Sequence, residues 1–118
     1  MNLSRWFRRS PAAPFWIEAP ALAASLRQDT PPLILDVRGP DEFTGPLGHI
    51  AGATNLPLDE LPARLPELAR DERPVVVVCK TDRRSSTAAR QLREVGVSDV
   101  RVLRGGMEIW RELGLPIS

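Results

Sequence analysis

Hydrophobic and polar positions fall in blocks along this chain, and the blocks change period. Four valines, Val75 to Val78, follow Pro74 and lead into Cys79. An unbroken β-branched run of that kind predicts a central strand buried on both faces. Leu33-Ile34-Leu35-Asp36-Val37 reads the same way, an apolar run with one acid near its end. Val100 to Leu103 gives a third strand, residues 16–18 a short entry strand, and Thr54-Asn55-Leu56 a short fifth.

Between these runs the period lengthens to that of helices. Ala19 to Gln28 predicts a helix, with Pro20 in its first turn, Leu22 and Leu26 on one face, and Asp29-Thr30-Pro31-Pro32 as its stop. Pro40-Asp41-Glu42-Phe43 starts a helical turn that Gly45-Pro46 breaks. Leu58 to Ala69 has helical spacing, but Pro62 and Pro66 divide it into two short helices. Ser85 to Val95 predicts a helix with Ala88, Ala89, Leu92 and Val95 on one side and Gly96 closing it. After Gly105-Gly106, Met107 to Leu113 forms the last helix, with Met107, Trp110 and Leu113 sharing a face and Gly114 ending it. Strands alternating with helices throughout predict an α/β fold, a mainly parallel five-stranded sheet with helices on both faces.

Composition narrows the function classes. The chain has 118 residues, the size of one domain, and a formal net charge of +1. That balance removes a general attraction to nucleic acid, so no nucleic-acid partner is expected. The run ending at Cys79 is far too short to span a bilayer. Cys79 is the single cysteine, so no internal disulfide forms and no second thiol in the chain resolves a bond made at it. His49 is the single histidine, which practically excludes a tetrahedral zinc site; neither metal nor cofactor is expected.

Residues 1–15 read as an N-terminal tail and 16–118 as the domain. The start is basic, but Pro11, Pro14, Glu18 and Pro20 interrupt the apolar core that an export signal would need. A cytoplasmic location is therefore expected. A second reading stands beside the tail: Arg5, Trp6, Phe7, Arg8 and Arg9 form an aromatic-basic handle for a membrane surface or a partner.

The chemistry concentrates after the valine run, in Cys79-Lys80-Thr81-Asp82-Arg83-Arg84-Ser85. Ligands of parallel sheets gather at the carboxyl ends of strands. A tight turn there, followed by a helix, aims backbone N–H groups at an anion. Lys80, Arg83 and Arg84 add positive charge, and together these features favour a nucleophilic thiolate over an inert buried cysteine.

Four ordered segments resemble the single-domain rhodanese family of sulfurtransferases. The loop C-x-x-G-x-R-[ST] is matched by Cys79 to Ser85, with Asp82 in place of the usual glycine. D-V-R followed by E-[FY] is matched by Asp36-Val37-Arg38 and Glu42-Phe43. G-H-I-x-G-A-x-N-[LI]-P is matched by residues 48–57, and L-x-G-G-x-x-x-W by residues 103–110, with Gly114-Leu115-Pro116 closing the pattern.

The resemblance implies a rhodanese-like fold over residues 16–118 and ping-pong transfer of sulfane sulfur through a Cys79 persulfide. The donor would be a small anion such as thiosulfate, or a persulfide, and the acceptor cyanide or a thiol; a protein is a further candidate for either role. Lys80, Thr81, Asp82, Arg83, Arg84 and Ser85 are the expected substrate loop, with Asp36, Arg38 and His49 in support. Within that set, His49 organises its loop or serves Cys79 as a base. Asp36 orients Arg84 or bonds within its own turn. Arg38 and Glu42 form an ion pair. Asp82 is a tolerated left-handed residue whose carboxylate turns outward to Arg83, or it faces the pocket and alters donor preference. Arg84 ties the loop to the first turn of its helix. Two other classes remain: a non-catalytic interaction module or sulfur carrier, and a phosphatase on the same fold. The phosphatase loop has five residues between Cys and Arg, whereas four separate Cys79 from Arg84.

Overall fold

A computed structural model of the chain describes residues 15–118. Residues 1–14 of the expected tail, with its aromatic-basic cluster at residues 5–9, lie outside the described residues, and Phe15, expected as the last residue of the tail, packs on the domain. Five strands form one sheet: β1 (Trp16–Ile17), β2 (Leu33–Asp36), β3 (Thr54–Asn55), β4 (Val75–Val78) and β5 (Val100–Leu103). Their order is β1-β5-β4-β2-β3, and every pairing is parallel. The helices are α1 (Ala19–Ser25), α2 (Pro40–Phe43), α3 (Leu61–Arg70), α4 (Arg83–Glu94) and α5 (Gly106–Glu112), with a 3-10 turn at Leu58–Glu60 before α3. The α/β architecture expected from the alternating blocks is the one observed.

The two-residue period of the central strands divides the core into two layers. On one face Leu33, Leu35, Val75, Val77 and Cys79 pack against Leu61 and Leu68 of α3 and Ala88, Ala89 and Leu92 of α4. On the other, Ile34, Val76, Val78 and Leu103 pack against Ala19 and Leu22 of α1 and Met107 and Trp110 of α5. At the start of the domain, the Phe15 carbonyl accepts the Val102 N–H at 2.7 Å and its ring packs edge-on to Trp16.

Three local expectations are corrected. Pro66 does not split α3, which runs unbroken from Leu61 to Arg70. A proline six residues into the helix removes only one backbone bond, and buried Leu61 and Leu68 anchor the helix on either side of it. Leu92 and Trp110 are buried, but Val95 and Leu113, expected on the same helix faces as those two, are exposed. Each is the C-cap residue just past the last helical turn, where helical spacing no longer governs direction. Helix α4 also starts at Arg83, two residues before the expected Ser85, so both arginines sit in its first turn.

The sheet order positions the site. From β2 the chain moves outward to β3, and from β4 it moves the other way to β5. The carboxyl ends of β2 and β4 therefore flank a topological switch point, where open α/β sheets bind ligands. Asp36 ends β2, and Cys79 follows the last residue of β4.

Candidate active site

Cys79 leaves β4 with its side chain on the α4 face and is 1% exposed. Its Sγ lies 3.1 Å from the Ser85 Oγ and accepts the Ser85 N–H at 3.3 Å. The loop thus curls back so that the first turn of α4 meets the sulfur. The outer side of the loop is held by a different element. Met107 N–H donates to the Cys79 carbonyl at 2.9 Å, and Glu108 N–H to the Lys80 carbonyl at 3.1 Å. Two carbonyls are thereby turned toward α5. Among the described residues no hydrogen bond engages the amides of Lys80, Thr81, Arg83 or Arg84. The result is a loop with free N–H groups around a buried thiol, the arrangement that accommodates negative charge.

The close approach of α5 requires glycine. Gly105 and Gly106 have φ of +81° and +56°, and a Cβ on Gly106 would lie 2.5 Å from the Lys80 carbonyl oxygen and collide with that of Cys79. The family pattern includes Gly105-Gly106 but does not by itself give them a part in the loop. Adjacent glycines between a strand and a helix were the available signal, because they mark a backbone that must pass close to another.

Asp82 departs from both readings made of it. Its φ of −133° is not left-handed, and its carboxylate turns neither to Arg83 nor freely into a pocket. Oδ1 accepts the Gly105 N–H at 2.7 Å. The reason is geometric: Asp82 is the N-cap residue of α4, and the Gly-Gly turn presents an amide across from it.

Arg84 is not bonded to the loop it closes. Its Nη1 and Nη2 donate to the two carboxylate oxygens of Glu42 at 2.6 and 3.0 Å, joining α4 to α2. That two-pronged bond pulls the Glu42 carboxyl from 4.5 down to about 2, against a smaller opposing effect of burial. It also raises Arg84 above its ordinary value. The expected Arg38–Glu42 ion pair is accordingly absent. Arg38, 1% exposed, instead grips Asp36 through Nε at 2.9 Å and Nη2 at 2.7 Å, and donates to the carbonyls of Glu42 and Gly48. Asp36 thus bonds within its own turn and does not orient Arg84. The Asn55 amide donates to the Asp36 and Arg38 carbonyls, closing the loop after β2.

His49 sits in its own loop, donating from Nδ1 to the Phe43 carbonyl at 2.8 Å with its ring stacked on Phe43. Its backbone exchanges hydrogen bonds with Ser118. Thr81 and Arg83 are exposed. Beside the Cys79 loop opens a cleft of about 350 Å³, lined by Arg38, Glu42, Pro46, Leu47, Lys80 and Glu108. Lys80 and Glu108 face each other at 3.8 Å along its wall. Among the described residues no three His, Cys, Asp or Glu side chains group to hold a metal, and no helix is long and apolar enough to cross a membrane.

Comparison with known proteins places this geometry in context. The family model for the rhodanese-like domain matches residues 19–113. A protein of Synechocystis sp., itself uncharacterized, is 39% identical over 83% of this chain; the chain spans 53% of that relative's length. A sulfurtransferase of Allochromatium vinosum is 36% identical over 86% of this chain and 92% of its own. Among solved structures, a rhodanese-related protein of Thermoplasma volcanium superposes with a TM-score of 0.75 at 31% identity, covering 86% of this chain and 95% of its own.

Proposed function

Because the chain belongs to the rhodanese-like family, we propose that it is a cytoplasmic sulfurtransferase working through a persulfide on Cys79. The observation that carries the reading is the setting of the sulfur: a buried thiol bonded to the Ser85 N–H and hydroxyl, inside a loop whose amides of Lys80, Thr81, Arg83 and Arg84 have no hydrogen-bond partner among the described residues.

In the first half-reaction the Cys79 thiolate attacks the sulfane sulfur of the donor. A new S–S bond forms on Cys79 as the donor's own bond to that sulfur breaks, and the electron pair leaves with sulfite from thiosulfate, or with a thiolate from a persulfide. In the second, an acceptor such as cyanide or a thiol attacks the outer sulfur, and the pair returns to Cys79. The Ser85 N–H that bonds Sγ, with the unengaged amides of the same loop, offsets the persulfide's charge without reorganising, which is preorganised electrostatic stabilisation. No second cysteine is available, so the acceptor comes from outside the chain. The cleft beside Lys80 is the route for donor and acceptor. Its four charged side chains, Arg38, Glu42, Lys80 and Glu108, balance, which suits a persulfide at least as well as a doubly charged anion.

Steady-state turnover tests the proposal. Thiocyanate formed from thiosulfate and cyanide, or sulfur passed from a small persulfide to a thiol, is expected, while an aryl phosphate stays intact. Phosphate release without sulfur transfer would replace this reading with the phosphatase one.

A further inference from the structure

We infer that Asp82 is a positioning residue, the side-chain clamp that holds the Cys79 loop in register against the α5 turn; its catalytic consequence rests on the sulfurtransferase reading above. Among the described residues three hydrogen bonds join loop to turn, one of them to a side chain, beside the exposed Lys80–Glu108 ion pair at 3.8 Å. Met107 and Glu108 N–H groups hold the Cys79 and Lys80 carbonyls. The Asp82 Oδ1 holds the Gly105 N–H at 2.7 Å, at the far end of the same loop.

Asp82 also acts through its main chain. Its carbonyl accepts the Ser86 N–H at 3.0 Å and lies 3.2 Å from the Ser85 hydroxyl, the same hydroxyl that lies 3.1 Å from Cys79 Sγ. One residue thus fixes the loop to α5 on one side and to the Ser85 end of α4 on the other. With φ of −133° the position makes no demand for glycine, so glycine there would remove the clamp and gain no conformational relief. Asp82 does not line the cleft beside Lys80. The role needs an acceptor oxygen, not a negative charge.

Asp82→Asn, Asp82→Ala and Asp82→Gly separate these elements. Asparagine keeps the acceptor; alanine and glycine lose it, and glycine, the residue of the family loop, guards against an alanine variant that fails to fold. Amide hydrogen exchange reads the clamp without reference to activity. Met107 and Glu108 are expected to exchange at least tenfold faster in the alanine and glycine variants, at unchanged protection of β4, and within threefold of wild type in Asp82→Asn. In the thiosulfate–cyanide assay, kcat is expected to fall about tenfold with KM within twofold for alanine and glycine, with asparagine restoring it. Unchanged exchange in both acceptor-lacking variants overturns the clamp. Faster exchange with unchanged kcat overturns its role in positioning Cys79. A wild type that turns over no donor removes the sulfurtransferase reading, and the exchange measurement then decides the clamp on its own.

Discussion

Replacing Gly106 by alanine tests whether α5 shapes the Cys79 loop. The new Cβ would sit 2.5 Å from the Lys80 carbonyl oxygen and collide with that of Cys79, where ordinary contact begins near 3.4 Å. Turn and loop must part by about 1 Å. Alanine at φ +56° adds about 1–2 kcal/mol of backbone strain. Weakening the Met107 and Glu108 hydrogen bonds adds about 0.5–1.5 kcal/mol each. The expected loss of stability is therefore about 2–5 kcal/mol, read from the urea midpoint. A displacement of that size near reacting atoms costs about 100-fold in rate, read as kcat/KM for thiosulfate-to-cyanide transfer under conditions where the variant is folded. Gly52→Ala is the control. Its φ of +86° imposes similar strain, but nothing lies within 4 Å of the added carbon. It should lose stability and keep activity. Full activity in folded Gly106→Ala, or equal losses in both variants, would refute the link between the turn and the loop.

Three further outcomes follow from the ion pairs. Glu42→Gln should cost about 0.5–1 kcal/mol at neutral pH, a modest value because both partners are more than a third exposed. A carboxyl lowered from 4.5 to about 2 contributes stability above 4.5 that is lost as the pH falls through 2. The gap between wild type and Glu42→Gln in urea titrations should close over that window; a gap constant down to pH 2 would contradict the pairing. Arg38→Met should cost about 3–5 kcal/mol in the same titrations, because it leaves the buried Asp36 carboxylate without its partner; a neutral result would contradict the buried Arg38–Asp36 pair. Arg84→Ala should lower kcat/KM more than Arg83→Ala, since only Arg84 ties α4 to α2; the reverse order would exchange their roles.

The layered core was legible in the sequence because burial on two faces leaves a simple mark. Val75 to Val78 and Leu33 to Asp36 are apolar runs, and Cys79 falls where such a run must end. Pairings across long separations left no such mark. Arg38 and Glu42 are four apart, so local spacing favours their union. Arg38 is instead taken by Asp36 in the interior, and Glu42 is left for Arg84, 42 residues away. Asp82 fails for a related reason: turn chemistry describes its neighbours, but its acceptor role is set by a turn 23 residues later. Pro66 shows propensity overridden by packing, since the buried leucines of α3 hold the helix through it.

Intact-mass measurement after donor treatment tests the central claim most directly. The folded wild type, incubated with thiosulfate or a small persulfide and freed of excess donor, should carry the mass of one added sulfur atom, and cyanide should remove it with release of thiocyanate. Cys79→Ser, nearly isosteric but a far weaker nucleophile, should fold and carry none. Sulfur retained on the serine variant, or none acquired by the wild type from either class of donor, would contradict a Cys79 persulfide.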